Sequence, residues 1–153
     1  VPSGLEAERG RSLSVDVTHS TGPLSYTVTV FASKVRFPIH VNRSHGLVLT
    51  NLNEPTTNVG VELLGTLRRQ PFSATATYTY VRAREGDEGV RLDLPLTPRH
   101  SAGLVGMWER EQVGRAGVEF YYTGVQRLEE NPYAERSRPY VIVGLLAERQ
   151  LGY

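Results

Sequence analysis

Apolar and polar residues alternate with period two along most of the chain, which predicts β-strands. From Ser12 to Thr18, Leu13, Val15 and Val17 interleave with Ser12, Ser14, Asp16 and Thr18. A Ser20-Thr21-Gly22-Pro23 turn leads to Leu24, Tyr26, Val28, Val30 and Ala32, set against Ser25, Thr27, Thr29 and Ser33, with Phe31 the exception. These two runs read as a hairpin. Ile39 and Val41 alternate less regularly with His40 and Asn42. A loop is expected from Asn42 to Gly46, a short strand from Gly46 to Asn51 and turn chemistry from Asn51 to Pro55.

The pattern then sharpens. Val59, Val61, Leu63 and Leu67 share one face, opposite Asn58, Glu62, Thr66 and Arg68, until Gln70-Pro71 breaks the run. Phe72, Ala74, Ala76, Tyr78 and Tyr80 then alternate with Ser73, Thr75, Thr77 and Thr79. β-Branched threonine filling the polar face makes this the strongest strand. The charged Arg82 to Gly89 stretch reads as a solvated loop. Leu92, Leu94 and Leu96 resume alternation between prolines, and Ala102, Leu104, Gly106 and Trp108 carry it on. After a turn over Glu109 to Gly114, Ala116, Val118, Phe120 and Tyr122 form one face of the next strand. A long polar connection from Gln126 to Pro139 precedes a last strand, Tyr140 to Arg149.

About eight sequential strands with no helical crossover predict an all-β fold, an antiparallel meander. Alternation alone does not separate a soluble sandwich or barrel from a transmembrane barrel. Three features point to the membrane. Several strands approach the 9–11 residues that cross a bilayer at a tilt. Tyr78, Tyr80, Trp108, Tyr121, Tyr122 and Tyr140 sit near strand ends, as in an interfacial aromatic girdle. Connections also alternate: Ser20 to Pro23, Arg69 to Pro71 and Glu111 to Gly114 are short, whereas Arg82 to Arg91 and Gln126 to Pro139 are long and charged.

Composition narrows the classes. The 153 residues suit one domain, and the 39% hydrophobic content is that of a folded chain. No cysteine is present, so disulfides, thiolate metal sites and cysteine nucleophiles are excluded. A net charge of +1 gives no reason to expect a nucleic-acid partner. Lys34 is the one lysine among 17 basic residues, a bias towards arginine. Val1-Pro2-Ser3-Gly4 does not resemble the start of a secretory signal.

Several segments, in order, resemble the late barrel strands of TonB-dependent outer-membrane receptors. These are Asn51 to Leu63 (NLNEPTTNVGVEL), Pro71 to Arg84 (PFSATATYTYVRAR) and Leu94 to Leu104 (LPLTPRHSAGL). Gly117 to Gly124 (GVEFYYTG), Glu130 to Tyr133 (ENPY) and Arg138 to Tyr140 (RPY) follow. The most specific piece is the threonine-proline-arginine-histidine turn, Thr97 to His100, between two alternating strands. The resemblance runs from about Leu13 to the end of the chain. It implies an outer-membrane barrel serving uptake of a large, scarce nutrient such as a metal chelate, and no enzyme activity. Members of that family also carry a signal, a TonB-contacting segment, a plug and a barrel of about 22 strands. At roughly 19 residues per strand, such a barrel needs on the order of 420 residues. The expectation is therefore one β-barrel segment over residues 1–153, a fragment without signal, plug and remaining strands.

Candidate chemistry is sparse. His40 and His45 lack accompanying carboxylates at ligand spacing, and His19 and His100 stand apart, so no metal site is expected. Asp93, His100 and Ser101 lack a nucleophile-elbow sequence, so no catalytic residue is assigned. Glu129-Glu130 reads as solvated, and Asn42-Arg43-Ser44 matches a glycosylation sequon. No cofactor is expected. Arg82, Arg84 and Asp87 are the candidates for contacting substrate in an exposed loop. Glu62, Asp93 and Glu119 are placed on the polar register. The lipid-facing or interfacial set is Phe72, Tyr78, Tyr80, Leu104, Trp108, Val118, Phe120, Tyr122, Tyr140 and Ile142, joined by Val59, Val61 and Leu63. Expected partners are membrane lipids, with the missing strands and plug or another copy of the chain. Two alternatives stay open: a soluble β-barrel or sandwich binding a small ligand, and a self-contained eight-stranded membrane barrel.

Overall fold

The computed structural model of the chain is all-β among the described residues, which are 4–42, 48–87, 89–129 and 131–150, with the side chains of residues 42 and 87 excepted. The expectations at Val1 to Ser3, Arg43 to Leu47, Glu88 and Glu130, including His45 and most of the sequon, lie outside these residues.

Ten strands follow one another: β1 (Arg9–Thr21), β2 (Leu24–Arg36), β3 (Ile39–Asn42), β4 (Val48–Asn51) and β5 (Thr56–Arg69) come first. Then come β6 (Phe72–Asp87), β7 (Val90–Asp93), β8 (His100–Arg110), β9 (Gly114–Thr123) and β10 (Tyr140–Arg149). Eight of them form one antiparallel sheet in the order β1-β2-β5-β6-β8-β9-β10, with β7 paired to the far end of β6. β3 and β4 form a separate two-stranded hairpin. The predicted meander of about eight strands is therefore the observed fold.

Three tight connections lie at one end of the sheet. Gly22, at φ 53°, opens the β1–β2 turn, which suits a residue without a Cβ. The cis Gln70-Pro71 peptide bond makes the β5–β6 turn. Gln112 at φ 63° and Gly114 at φ 145° close β8 onto β9. All long connections lie at the opposite end, as the charge and proline patterns predict. There, Asn51 ties the β3–β4 hairpin to the start of the chain: its Oδ1 accepts from Glu6 N at 2.8 Å and its Nδ2 donates to Glu6 O at 3.0 Å. Ile39 N donates to Glu8 Oε1 at 2.7 Å beside it.

One expectation fails here. Arg82 to Asp87 is not a loop but the outer third of β6; Arg82 to Arg84 pair with β5, and Arg84 to Asp87 pair with β7. Ladder hydrogen bonds to β5 and β7 hold it, and the Arg127–Glu85 ion pair adds to them. Its apolar content is one small residue, the buried Ala83, among charged side chains and a glycine, so no hydrophobic alternation marks it as a strand.

The sheet is a single layer. Among the described residues Ala83, at 7% exposure, is the one buried hydrophobic residue, whereas Phe72 is 63%, Leu104 50% and Phe120 42% exposed. β1 and β10 do not pair with each other among the described residues, so the sheet is open.

Candidate functional site

The two faces of the sheet are chemically distinct, and the pairing register defines them. One row of laterally paired residues runs Val17, Val28, Leu63, Tyr78, Ala102, Tyr122 and Val141. The neighbouring row, one residue along, runs Asp16, Thr29, Glu62, Thr79, Ser101, Thr123 and Tyr140 on the other side of the pleat. Because successive side chains point to opposite faces, the first row belongs to an apolar face and the second to a polar one.

Rings mark both ends of the apolar face. Towards the tight turns, Phe72 pairs with Trp108, and His19 meets Tyr26 with ring centroids 5.5 Å apart and planes tilted by 45°. Towards the long connections, His100 lies 5.2 Å from the Tyr80 ring and 6.2 Å from the Tyr78 ring. The Tyr78 hydroxyl and His100 Nδ1 share a hydrogen bond of 2.8 Å. Small residues, Ala74, Ala76 and Gly106, lie in the zone between, beside Leu104, Val118 and Phe120.

The polar face is lined with hydroxyls and carboxylates. Thr18 and Thr27 share a 2.9 Å hydrogen bond between their hydroxyls, and Ser20 donates to Ser25 at 2.9 Å. Larger side chains on this face lie across glycines of the adjoining strand. Phe31 covers Gly60 and the Glu119 side chain covers Gly144, each close enough that a Cβ on the glycine would collide; a Cβ on Gly103 would collide with the Thr77 hydroxyl and lie in tight contact, at 3.2 Å, with the Tyr121 ring. Ring-over-glycine pairs of this kind pin register in curved sheets. The Tyr121 hydroxyl also donates to Glu119 Oε2 at 3.3 Å.

Of the ten residues predicted to face lipid, eight share the apolar face: Phe72, Tyr78, Tyr80, Leu104, Trp108, Val118, Phe120 and Tyr122. Val59, Val61 and Leu63 join them. Tyr140 and Ile142 do not. They pair with Thr123 and Tyr121, so they lie on the polar face, while Val141, Val143 and Leu145 carry the apolar face of β10. β10 is apolar on both faces, and its composition therefore does not reveal which parity belongs where. Arg82 and Arg84 extend the apolar-face register beyond Tyr80, outside the ring zone, and Asp87 lies on the opposite parity, its side chain outside the described set. Asp93 pairs with Arg84 and so departs from the polar register expected of it, unlike Glu62 and Glu119. His100 and Ser101 are sequential on β8 and point to opposite faces, which breaks the triad arrangement. Among the described residues no cluster of three metal-ligating side chains occurs.

The sequence did not point to a basic crevice at the long-connection end. Arg84, Arg91, Arg99, Arg127 and Arg136 line it with Asp93. Arg99 Nη2 donates to both Asp93 oxygens, at 3.0 and 2.8 Å. That hydrogen bonding holds the Asp93 carboxyl below its usual range. Partial burial opposes the shift, and the charges of Arg99, Arg84 and Arg136 add to it. The five arginines come from β6, β7 and two separate connections, so no local spacing announces them.

A connected apolar face, rings at its two ends, a hydroxyl-lined reverse and tight turns on one side make up the wall of a β-barrel. The family described as "TonB dependent receptor-like, beta-barrel" matches residues 1–153. The chain belongs to this family. No curated protein matches it in sequence. Among solved structures, the "Copper transporter OprC" superposes with a TM-score of 0.79 at 15% identity, covering 98% of this chain and 24% of that one. The FrpB iron transporter from Neisseria meningitidis (F5-1 variant, apoprotein form) gives 0.71 at 11% identity, covering 93% of this chain and 24% of that one. The ferric-catecholate import receptor Fiu from K12 E. coli gives 0.68 at 13% identity, covering 91% and 21%. This TonB-dependent receptor-like barrel chain thus spans about a quarter of the length of these solved relatives, and the fold is what it shares with them.

Proposed function

We propose that these residues form part of the wall of an outer-membrane barrel that takes up a large, scarce, metal-bearing nutrient. The observation that carries this reading is the exposed apolar face of a sheet that buries almost nothing of its own. A soluble sandwich or barrel would turn Phe72, Leu104 and Phe120 into a dry interior; here all three stand exposed on the same face. Phe72 and Tyr80 bracket that face on one strand, eight residues apart, or about 27 Å along the chain. A tilt of about 40° reduces this to about 20 Å of depth, near the thickness of an outer-membrane apolar band.

The open edges favour a segment of a larger barrel over a self-contained one. Unpaired backbone groups on β1 and β10 would each cost several kcal/mol in hydrocarbon, so further strands complete the wall. The cargo-gating plug and the TonB protein are then the partners of the intact receptor, and the polar face lines the lumen. The metal-bearing cargo is inferred from the solved relatives, named for copper, iron and a ferric catecholate.

Trp108 is the single tryptophan, and its fluorescence tests the reading directly. In reconstituted vesicles, lipids brominated near the headgroup end of the acyl chain should quench it strongly, and aqueous iodide weakly. Quenching by iodide alone would place the apolar face away from lipid and defeat the assignment.

A further inference from the structure

The crevice between β6, β7 and the connection after β9 holds more cationic charge than its carboxylates answer. Arg99 is paired with Asp93, Arg127 with Glu85, and Arg91 with Glu54 at 3.5 Å. Among the described residues Arg84 and Arg136 have no ion-pair partner, although both line the crevice and both act on Asp93 from a distance. Arg127 adds a second signal. Its Nη2 is committed to Glu85, but its Nε is buried with no hydrogen-bond partner among the described residues. A buried donor left unmatched is costly, and native structures rarely carry one without a reason.

We propose that this crevice binds a phosphate-bearing anion. Two spare guanidinium charges match the charge of about −2 on a phosphomonoester near neutral pH, where a carboxylate brings only one. Planar guanidinium forks also suit the spread of phosphate oxygens, and the orphan Arg127 Nε–H supplies one further donor. The crevice encloses about 490 Å³, enough for the phosphate and part of what bears it. Two sources share this chemistry. His100 and Tyr122 also line the crevice, and both belong to the apolar face, so a headgroup phosphate beside that face can reach the arginines. Free phosphate can enter from solvent.

The test uses the full-length protein in uncharged detergent micelles. Inorganic phosphate is titrated calorimetrically, and retention is measured on mixed micelles doped with phosphatidic acid or, as the neutral control, phosphatidylcholine. Binding of either phosphate species is expected, weakened about tenfold by R84Q and by R136Q, the loss of one charge-assisted contact. R84K, which keeps charge but not the fork, should fall between. R11Q, in exposed β1 away from the crevice, should bind as the unmodified protein does. Binding to doped micelles only identifies a headgroup as the source; binding of inorganic phosphate as well identifies a free anion. Phosphate binding persists if the apolar face is not lipid-facing, so its outcome is separable from that assignment. No binding of either species, or equal losses in R11Q and R84Q, would overturn the proposal. R136Q lies outside the sheet, so it tests the site even if R84Q disturbs β6.

Discussion

Phe31 of β2 lies across Gly60 of β5, its partner in the ladder, so that the ring occupies the space a side chain on residue 60 would need. A Cβ there would also meet the Tyr80 carbonyl oxygen at 2.5 Å. Backbone, unlike a ring, cannot swing aside. Gly60→Val should therefore destabilise the folded sheet by about 1–3 kcal/mol through overpacking, read from urea unfolding in lipid vesicles. Adding Phe31→Ala should restore only part of that loss. Full recovery would mean that the carbonyl contact carries no cost.

Facing can be tested at the middle of the apolar zone. Phe120→Arg should cost about 2–4 kcal/mol if its side chain meets acyl chains near the midplane. Thr77→Arg, on the opposite face, should cost well under half of that in the same folding assay. Equal costs at the two positions would contradict an outward apolar face.

The last strand offers a sharper comparison, because Ile142 and Val143 are both exposed and adjacent in sequence. The ladder with β9 assigns Val143 to the face of Phe120 and Ile142 to the face of Tyr121. Val143→Arg should thus be the more damaging substitution in vesicle-folded protein, by about 1–3 kcal/mol. Reversal of that order would signal a one-residue shift in the β9–β10 register.

Asp93 makes local stability depend on acid. Its folded-state carboxyl titrates below the ordinary range because Arg99 hydrogen-bonds the ionised form. The stabilisation is complete above the unfolded carboxyl value of about 4 and is lost as pH falls through the lowered folded value. Hydrogen-exchange protection over residues 90–99, corrected for the intrinsic pH dependence of exchange, should fall on acidification below about pH 4. Asp93→Asn should remove that acid-dependent component while lowering protection at neutral pH. An unchanged acid profile in the variant would assign the transition to other carboxylates.

Strand existence and most facings were legible because water and apolar surroundings act on alternate residues. The Val15, Val30 and Val61 row and the Ser73 to Thr79 threonines carry that imprint directly. The signal fails wherever the two parities of a strand carry similar residues. Arg82 to Asp87 carries charge on both parities and one small apolar residue, Ala83, so it reads as a loop; Tyr140 to Arg149 has apolar residues on both parities, which conceals the facing of each. The basic crevice was invisible for a different reason. Its members come together only when the ends of β6 and β7 meet the chain after β9, contacts that no window of sequence contains.

Strict two-residue parity in β6 has a consequence for how such a chain varies over time. Losing one residue between Phe72 and Tyr80 would transpose threonines and tyrosines for the rest of that ribbon, whereas exchanging any one residue disturbs a single place. Length change is therefore filtered out of the spanning ribbons far more harshly than replacement is. Relatives should differ in size chiefly in the connections after β2, β6 and β9.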